Sequence, residues 1–403
     1  MNSIASANPE ALRDTMVDTI LNAEHARTPA VERAMRTVPR HRFVPDATVE
    51  DAYADIAVIT KQTDDGTALS CASVPTTVAM MLDQLDVQPG HRVLEIGAGT
   101  GYNAALLRVL AGPGGSVTTV DIDAEVTRRA RAALDATGNP DIEVITRDGA
   151  LGAEENAPYD RIIFTVGAWD IPPAMWQQLT PGGRLVLPLR WRGQTRSLAL
   201  VRDGERLVAE SVELCGFVPL VGQEGELTGT IDNDGLVSLH WDADQPIQAA
   251  ALAGVLDQPR LEAWSGVTVD PEEPFDGLWL LMTATEPRTC RIAAQPAAVE
   301  SGLCLPAIAS RSPAIVDGDS LAYFTFRRPG APDGASRPEL GAIGHGPRGD
   351  VLAETLCTEI RRWNQDRAAQ PKITAILRAA GERQQTAGSV IDKAETSLLL
   401  VTT

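Results

Sequence analysis

From about residue 91, short unbroken apolar runs alternate with stretches of helical period. Residues 91–96 (HRVLEI) predict a strand, a glycine turn follows, and the apolar stretch 102–110 predicts a helix. A second run, 116–122 (SVTTVDI), leads into a helix over 124–136, and a third strand over 142–146 ends at Arg147-Asp148-Gly149. Residues 161–166 (RIIFTV) are apolar on both faces, as a central parallel strand must be. A helix over 171–179, a turn at Pro181-Gly182-Gly183 and a strand over 184–189 complete the series. Loops this short imply parallel neighbours joined by right-handed crossovers. The expected fold class is α/β with a doubly wound, Rossmann-like sheet.

Residues 194–215 predict a hairpin around Asp203-Gly204 that closes this sheet, and residues 217–225 its exit. This places a domain boundary near residue 225, giving domains 1–225 and 226–403. The second half predicts a mixed α+β domain. Strand candidates lie at 236–241, 278–283 and 321–327, a helix spans about 350–366, and a last strand covers 397–402. Within that helix Val351, Leu352, Leu356, Ile360 and Trp363 share one face. No internal repeat is visible, and no pattern in this half names a chemistry.

Composition changes the picture only by exclusion. A chain of 403 residues exceeds the roughly 250 to 300 residues at which single cores stop growing, so two domains are the default. With 44% hydrophobic and 22% charged residues it has the make-up of a globular protein. No apolar run reaches the ~18 residues of a membrane span, and the first residues (MNSIASANPEALRD) lack signal-peptide character, so a cytoplasmic protein is expected. The formal charge of −19 repels phosphate backbones and argues against a nucleic-acid partner. Cys71, Cys215, Cys290, Cys304 and Cys357 show no metal-ligand spacing, so neither a zinc site nor a disulfide framework is expected.

Candidate chemistry sits at the ends of the first three strands. Glu95-Ile96-Gly97-Ala98-Gly99-Thr100-Gly101 follows a buried strand and opens a helix, so the backbone can approach a ligand and free N–H groups face it. The spacing is G-x-G-x-G, where a dinucleotide fingerprint needs G-x-G-x-x-G to seat a pyrophosphate, and this favours a ligand without phosphates. Asp121 and Ile122 end the second strand, twenty residues beyond Gly101, where a carboxylate can accept from ribose hydroxyls. Asp148 and Gly149 end the third and can flank an adenine ring. Taken singly, the glycines could merely make a tight turn and the aspartates could be helix N-caps. Three consecutive strand ends carrying matching residues point instead to S-adenosyl-L-methionine as cofactor, whose sulfonium cation suits Glu95 and an acidic protein.

Several motifs reach beyond the glycine loop. Val38-Pro39-Arg40, Phe43-Val44-Pro45, Ala52-Tyr53-Ala54-Asp55, residues 93–107 (VLEIGAGTGYNAALL), 157–163 (APYDRII) and 179–188 (LTPGGRLVLP) together resemble protein L-isoaspartate O-methyltransferases over nearly the whole length of such enzymes, roughly the first 220 residues. The resemblance implies a class I methyltransferase sheet. In that family a serine in an S-x-P motif helps position the acceptor carboxylate. Ser73-Val74-Pro75 falls at that place, so Ser73 is implied as the catalytic residue, and Asp55, Val74 and Pro75 join it in binding substrate. Without the resemblance, Ser73 reads as a helix N-cap with Pro75 in the first turn.

Two departures from the family pattern bear on substrate. Residues 67–72 (TALSCA) lack the glutamine-threonine-isoleucine run usual before the serine, and Ile56-Ala57-Val58 replaces an expected proline. The chain also continues for about as long again. This favours a peptide-maturation branch, acting on ribosomally made, modified precursor peptides of the lanthipeptide or graspetide kind, with residues 226–403 as the peptide-recognition domain. There an aspartate would be methylated and would cyclise to a succinimide, then open to isoaspartate. The alternative within the family is repair of isoaspartyl residues. An alternative of another class is a peptide-binding scaffold carrying a degenerate methyltransferase, against which the intact Gly97, Gly99, Gly101, Asp121 and Asp148 count. A carboxylate is already ionised at neutral pH, so methyl transfer needs no catalytic base, and His25, His41, His91, His240 and His345 are read as surface or packing residues.

Overall fold

A computed structural model describes residues 8–63, 66, 68–270, 273–328, 337–378 and 388–402. The chain divides into two compact units, Met1–Leu189 with Thr195–Gln223, and Arg190–Gln194 with Glu224–Thr403. Among the described residues no helix is long and apolar enough to cross a membrane.

The first unit opens with α1 (Pro9–Asn22), α2 (Pro29–Thr37), a 3₁₀ turn (Arg40–Phe43) and α3 (Val49–Tyr53). Proline at the start and a side-chain cap begin α1, where the Asn8 carboxamide oxygen accepts from Glu10 N–H at 3.0 Å. A hairpin of β1 (Val58–Gln62) and β2 (Ala68–Ala72) then leads to α4 (Pro75–Leu85). The alternating series follows: β3 (Arg92–Ile96), α5 (Tyr102–Ala111), β4 (Ser116–Asp121), α6 (Ala124–Ala136), β5 (Glu143–Thr146), β6 (Tyr159–Phe164), α7 (Pro173–Gln178), β7 (Leu179–Trp191), β8 (Gln194–Asp203) and β9 (Arg206–Leu214).

Within this unit the strand order is β9-β8-β7-β6-β3-β4-β5. The run from β7 to β5 is parallel, and β8 and β9 pair antiparallel. The order reverses between β3 and β6, the point where the carboxyl ends of an open parallel sheet leave a crevice. The register sets Glu95 beside Thr119 and Asp121 beside Thr146. A core including Met35, Leu82, Leu107 and Ile163 joins the N-terminal helices to one face of the sheet. This is the Rossmann-like class I arrangement expected, and it places every strand end the sequence singled out on one rim.

The second unit is mixed α and β. It contains β10 (Glu226–Thr230), β11 (Val237–Asp242), β12 (Leu261–Thr268), α8 (Asp276–Thr285), β13 (Thr289–Ala294), α9 (Pro296–Glu300), β14 (Ser312–Asp317), β15 (Ser320–Arg327), β16 (Glu339–His345), α10 (Gly349–Gln365), β17 (Lys372–Leu377), β18 (Ser389–Asp392) and β19 (Thr396–Val401). Seven strands form an antiparallel sheet, β10-β11-β13-β14-β15-β16-β12, and β18-β19-β17 pair antiparallel. Period-two alternation gives the sheet two buried faces: Leu321 and Tyr323 enter one core, Ala322 and Phe324 the other. The second core lies under α8 and α10, around Leu352, Leu356, Ile360 and Trp363.

Two expectations are corrected here. Residues 278–283 are helix α8 rather than a strand, because LWLLMT is buried on every side and a fully buried run carries no period to separate the two. Val351 points outward at 53% exposure, while Ala353 and Cys357 take core positions on α10.

Candidate active site

The loop leaving β3 holds Gly97, Gly99 and Gly101 at φ of +102°, +51° and +84°, backbone that side-chain-bearing residues rarely adopt. At Gly97 there is also no room, since a Cβ would lie 2.5 Å from Thr165 Oγ1. The Thr165 hydroxyl donates to Gly97 O at 2.6 Å and so fixes the loop's first peptide. Gly101 packs against Ala130 and Leu134 of α6, which makes it a helix-packing position.

Two open clefts lie along this rim and share Leu69, Ser70, Gly97, Asp121 and Val166. Ser73, Glu95, Gly99, Asn103 and Thr165 are in the walls of the first. Ile122, Asp148, Gly149 and Leu220 are in the walls of the second. Asp55, Val74, Pro75 and Gly101 line neither. Asp55 instead accepts from Thr76 N–H at 3.0 Å, at the start of α4.

Asp121 is not a helix cap. Its Oδ2 accepts from Gly99 N–H at 3.2 Å and its Oδ1 from Asp123 N–H at 3.1 Å, which leaves lone pairs on a half-buried carboxylate for a ligand's hydroxyls. The cap of α6 is Asp123, which accepts from Glu125 and Val126 N–H. Asp148 does cap its short 3₁₀ turn, accepting from Ala150 N–H at 2.9 Å. Ser73 is not a cap either: α4 is preceded by Val74, and no side chain of that residue bonds its N–H groups. The Ser73 hydroxyl shares a hydrogen bond with the Cys71 thiol, which burial pushes up in pKa.

Glu95 is fully buried behind the glycine loop, with Oε1 accepting from Asn103 Nδ2 at 2.8 Å and Oε2 from the Thr119 hydroxyl at 2.6 Å. Burial pushes its pKa up to about 7, against the pull of those two donors. Asp121 is raised too, by burial, with the N–H groups of Asp123 and Gly99 opposing.

Four carboxylates, Glu95, Asp121, Asp123 and Asp148, face the two clefts. Lys61, the single lysine in the walls of either, is bound to Asp123 at 2.5 Å and Glu125 at 3.2 Å. Such walls repel phosphate and suit a cationic ligand that carries hydroxyls and an apolar ring, the last against Ile122, which is half exposed. S-Adenosyl-L-methionine meets all of these requirements. Glu95 reaches the first cleft, and each of its oxygens is held by one protein donor, so its carboxyl is fixed in place and adds to the acidic character of that wall.

Sequence reasoning missed the irregular segment 217–221, read only as an exit from the sheet, which walls both clefts. It also missed Asn103 and Thr165. Asn103 lies in the first turn of α5, just past the glycine loop, where a polar residue in an otherwise apolar helix start could have been noticed.

Residues 11–225 match the family model described as protein-L-isoaspartate(D-aspartate) O-methyltransferase. The protein-L-isoaspartate O-methyltransferase of Methanopyrus kandleri is 40% identical over 219 residues, which is 53% of this chain and 92% of that protein. The one from Methanoregula boonei is 41% identical over 215 residues, 53% of this chain and 94% of its own length. A solved protein-L-isoaspartate O-methyltransferase aligns over 90% of this chain and 96% of its own at 18% identity, with a TM-score of 0.49.

Proposed function

The chain belongs to the protein-L-isoaspartate O-methyltransferase family, an S-adenosyl-L-methionine-dependent group of carboxyl methyltransferases, and on that premise we propose that it methylates the free carboxylate of isoaspartyl residues in proteins or peptides. The observation that carries this reading is the placement of Ser73 in the wall of the same cleft as Gly97 and Gly99. When bound, S-adenosyl-L-methionine supplies a methyl group on a sulfonium cation. Asp121 would hold its ribose, Ile122 and Gly149 its base, and the loop 97–101 its amino-acid end.

The rest of the work falls to positioning. An acceptor carboxylate is ionised at neutral pH, so no residue need remove a proton, and alignment of the attacking oxygen is the main contribution available to the protein. The Ser73 hydroxyl, tied to Cys71, is the donor assigned to that oxygen. Methylation turns the acceptor oxygen into a methoxide leaving group, and the adjoining backbone nitrogen closes a succinimide without further help.

A second reading has one observation behind it: residues 224–403, with 190–194, form a unit with two cores of its own, largely beyond the family match. In that reading the acceptor is a normal aspartate in a modified precursor peptide. The named relatives support the first reading better. Incubating the full chain with S-adenosyl-L-methionine and paired isoaspartyl and aspartyl peptides, followed by mass measurement, tests it. Methylation confined to the isoaspartyl member is expected, and no methylation of it would overturn the proposal. Ser73→Ala should lower turnover while leaving cofactor affinity unchanged.

A further inference from the structure

The first half of the N-terminal signature ends in an arginine that the function so far leaves unused. Arg40, in the 3₁₀ turn Arg40–Phe43, has 0% of its surface exposed. Its Nε donates to Ala52 O at 2.8 Å, and its Nη2 to Ser73 O at 2.8 Å and Ala72 O at 3.3 Å. One guanidinium thus ties the end of α3, the end of β2 and the Ser73 peptide together. Its Cζ lies 5.1 Å from the centre of the Tyr102 ring, and Tyr102 lines the cleft that Ser73 enters.

The charge on this side chain is met by carbonyl oxygens and the Tyr102 ring and not by a bonded carboxylate. Among the described residues no carboxylate forms an ion pair with Arg40, and Asp55, which acts on it through space, is bonded to the Thr76 N–H. Arg40 Nη1 and the Tyr102 hydroxyl, both fully buried, have no hydrogen-bond partner among the described residues. An unpaired buried cation is costly, and a methionine or glutamine could fill the volume without that cost. What a cation adds, one residue's thickness behind the cleft wall, is a positive potential in a pocket otherwise faced by Glu95 and Asp121. An anionic acceptor approaching those two carboxylates would otherwise be repelled.

We propose that Arg40 is a positioning residue for methyl transfer: it pins the Ser73 carbonyl, and with it the hydroxyl, while its unpaired charge draws the acceptor into the cleft as the carboxylate anion. This inference rests on the acceptor reading above but holds for an aspartyl or an isoaspartyl carboxylate alike. It assigns Arg40 no contact with the reacting atoms.

The test uses the full chain in three forms, wild type, Arg40→Gln and Arg40→Lys, each checked for folding by circular dichroism and for cofactor affinity by calorimetry. Arg40→Gln should raise the acceptor KM by roughly tenfold or more while the cofactor Kd stays within about twofold, since the field acts on the acceptor and not through the cofactor. Arg40→Lys keeps the charge and loses the fork, so it should recover most of the KM but not kcat. A folded Arg40→Gln with unchanged KM and kcat would overturn the proposal.

A wild-type measurement covers the case in which neither variant folds. A peptide carrying the acceptor carboxylate is compared, as a competitive ligand, with the same peptide bearing a carboxamide. The carboxylate should bind roughly tenfold more tightly, and equal binding would refute a positive field at the acceptor site. Failure of the wild type to methylate any isoaspartyl peptide would instead count against the proposed function, and the binding comparison would still decide the role of Arg40.

Discussion

Replacing Glu95 with glutamine should abolish a pH dependence that the wild-type first unit carries. In the folded protein Glu95 is fully buried and its pKa is pushed up to about 7, against an ordinary 4.5. A folded carboxyl that keeps its proton longer than the unfolded one favours the native state at low pH. That advantage is fully present below about pH 4.5, is lost steadily as pH rises, and is gone once the folded group ionises near pH 7. The displacement corresponds to about 3 kcal/mol across that window. Glutamine suits the pocket, because its oxygen can accept from Asn103 and its amide can donate to the Thr119 hydroxyl, so any constant cost is independent of pH. The assay is denaturant unfolding of both forms from pH 4.5 to 8, read by hydrogen-exchange mass spectrometry on peptides covering β3 and α5. The wild type should lose about 3 kcal/mol relative to the variant over this range. Parallel curves would show that Glu95 is ionised throughout and that its two donors outweigh its burial.

Asp121→Ala should weaken S-adenosyl-L-methionine binding by roughly 1.5 to 3 kcal/mol for each ribose hydrogen bond lost, and calorimetry showing unchanged affinity would remove Asp121 from the site. Gly97→Ala places a Cβ 2.5 Å from Thr165 Oγ1 at a φ of +102°, so cofactor binding should be lost and stability should fall by about 1 to 3 kcal/mol. Normal binding by that variant in the same calorimeter would mean that the loop can move. In the second unit Asp242→Ala removes the buried carboxylate that accepts from the Arg192 backbone N–H and Nη1, and leaves the guanidinium paired with Asp244 alone. A loss of about 1 to 3 kcal/mol in the unfolding of that unit is expected, chiefly from the buried Arg192 N–H left without an acceptor, and an unchanged stability would show that Asp244 alone suffices.

The sequence was most legible where burial leaves a pattern. β3, β4 and β6 are largely buried on both faces and flanked by short loops, so their order and the crevice at their ends follow almost directly from the residues. Asp121 and the glycine loop were found because a strand end is a fixed place in that scheme. The same logic failed at α8, where burial on all sides erases the difference between a strand and a helix. It failed again at residues 217–221, which wall the clefts without regular structure and so leave no period to read. Roles were harder than positions. Glu95 lies in the cleft wall, yet its two hydrogen bonds depend on Asn103 and Thr119, partners that only the fold brings to it. Ser73 could have been a cap as far as its neighbours in sequence showed, and only the actual start of α4 separates the possibilities.

Residues 190–194, at the turn between β7 and β8, belong to the second unit although the chain on either side of them belongs to the first. Trp191 is fully buried and donates to the Thr283 hydroxyl at 3.2 Å, and at Gly193 a Cβ would lie 2.4 Å from that of Arg291. The chain therefore passes from one unit to the other more than once. A recombination junction, a truncated expression clone or a protease cut placed at residue 225 would divide the covalent chain there and still leave a tryptophan and a buried arginine stranded on the catalytic piece. The second half cannot be gained or shed in one clean step: a catalytic piece meant to stand alone would also need a redesigned 190–194 turn, and one that lacked it should be sticky and poorly behaved for reasons unrelated to substrate.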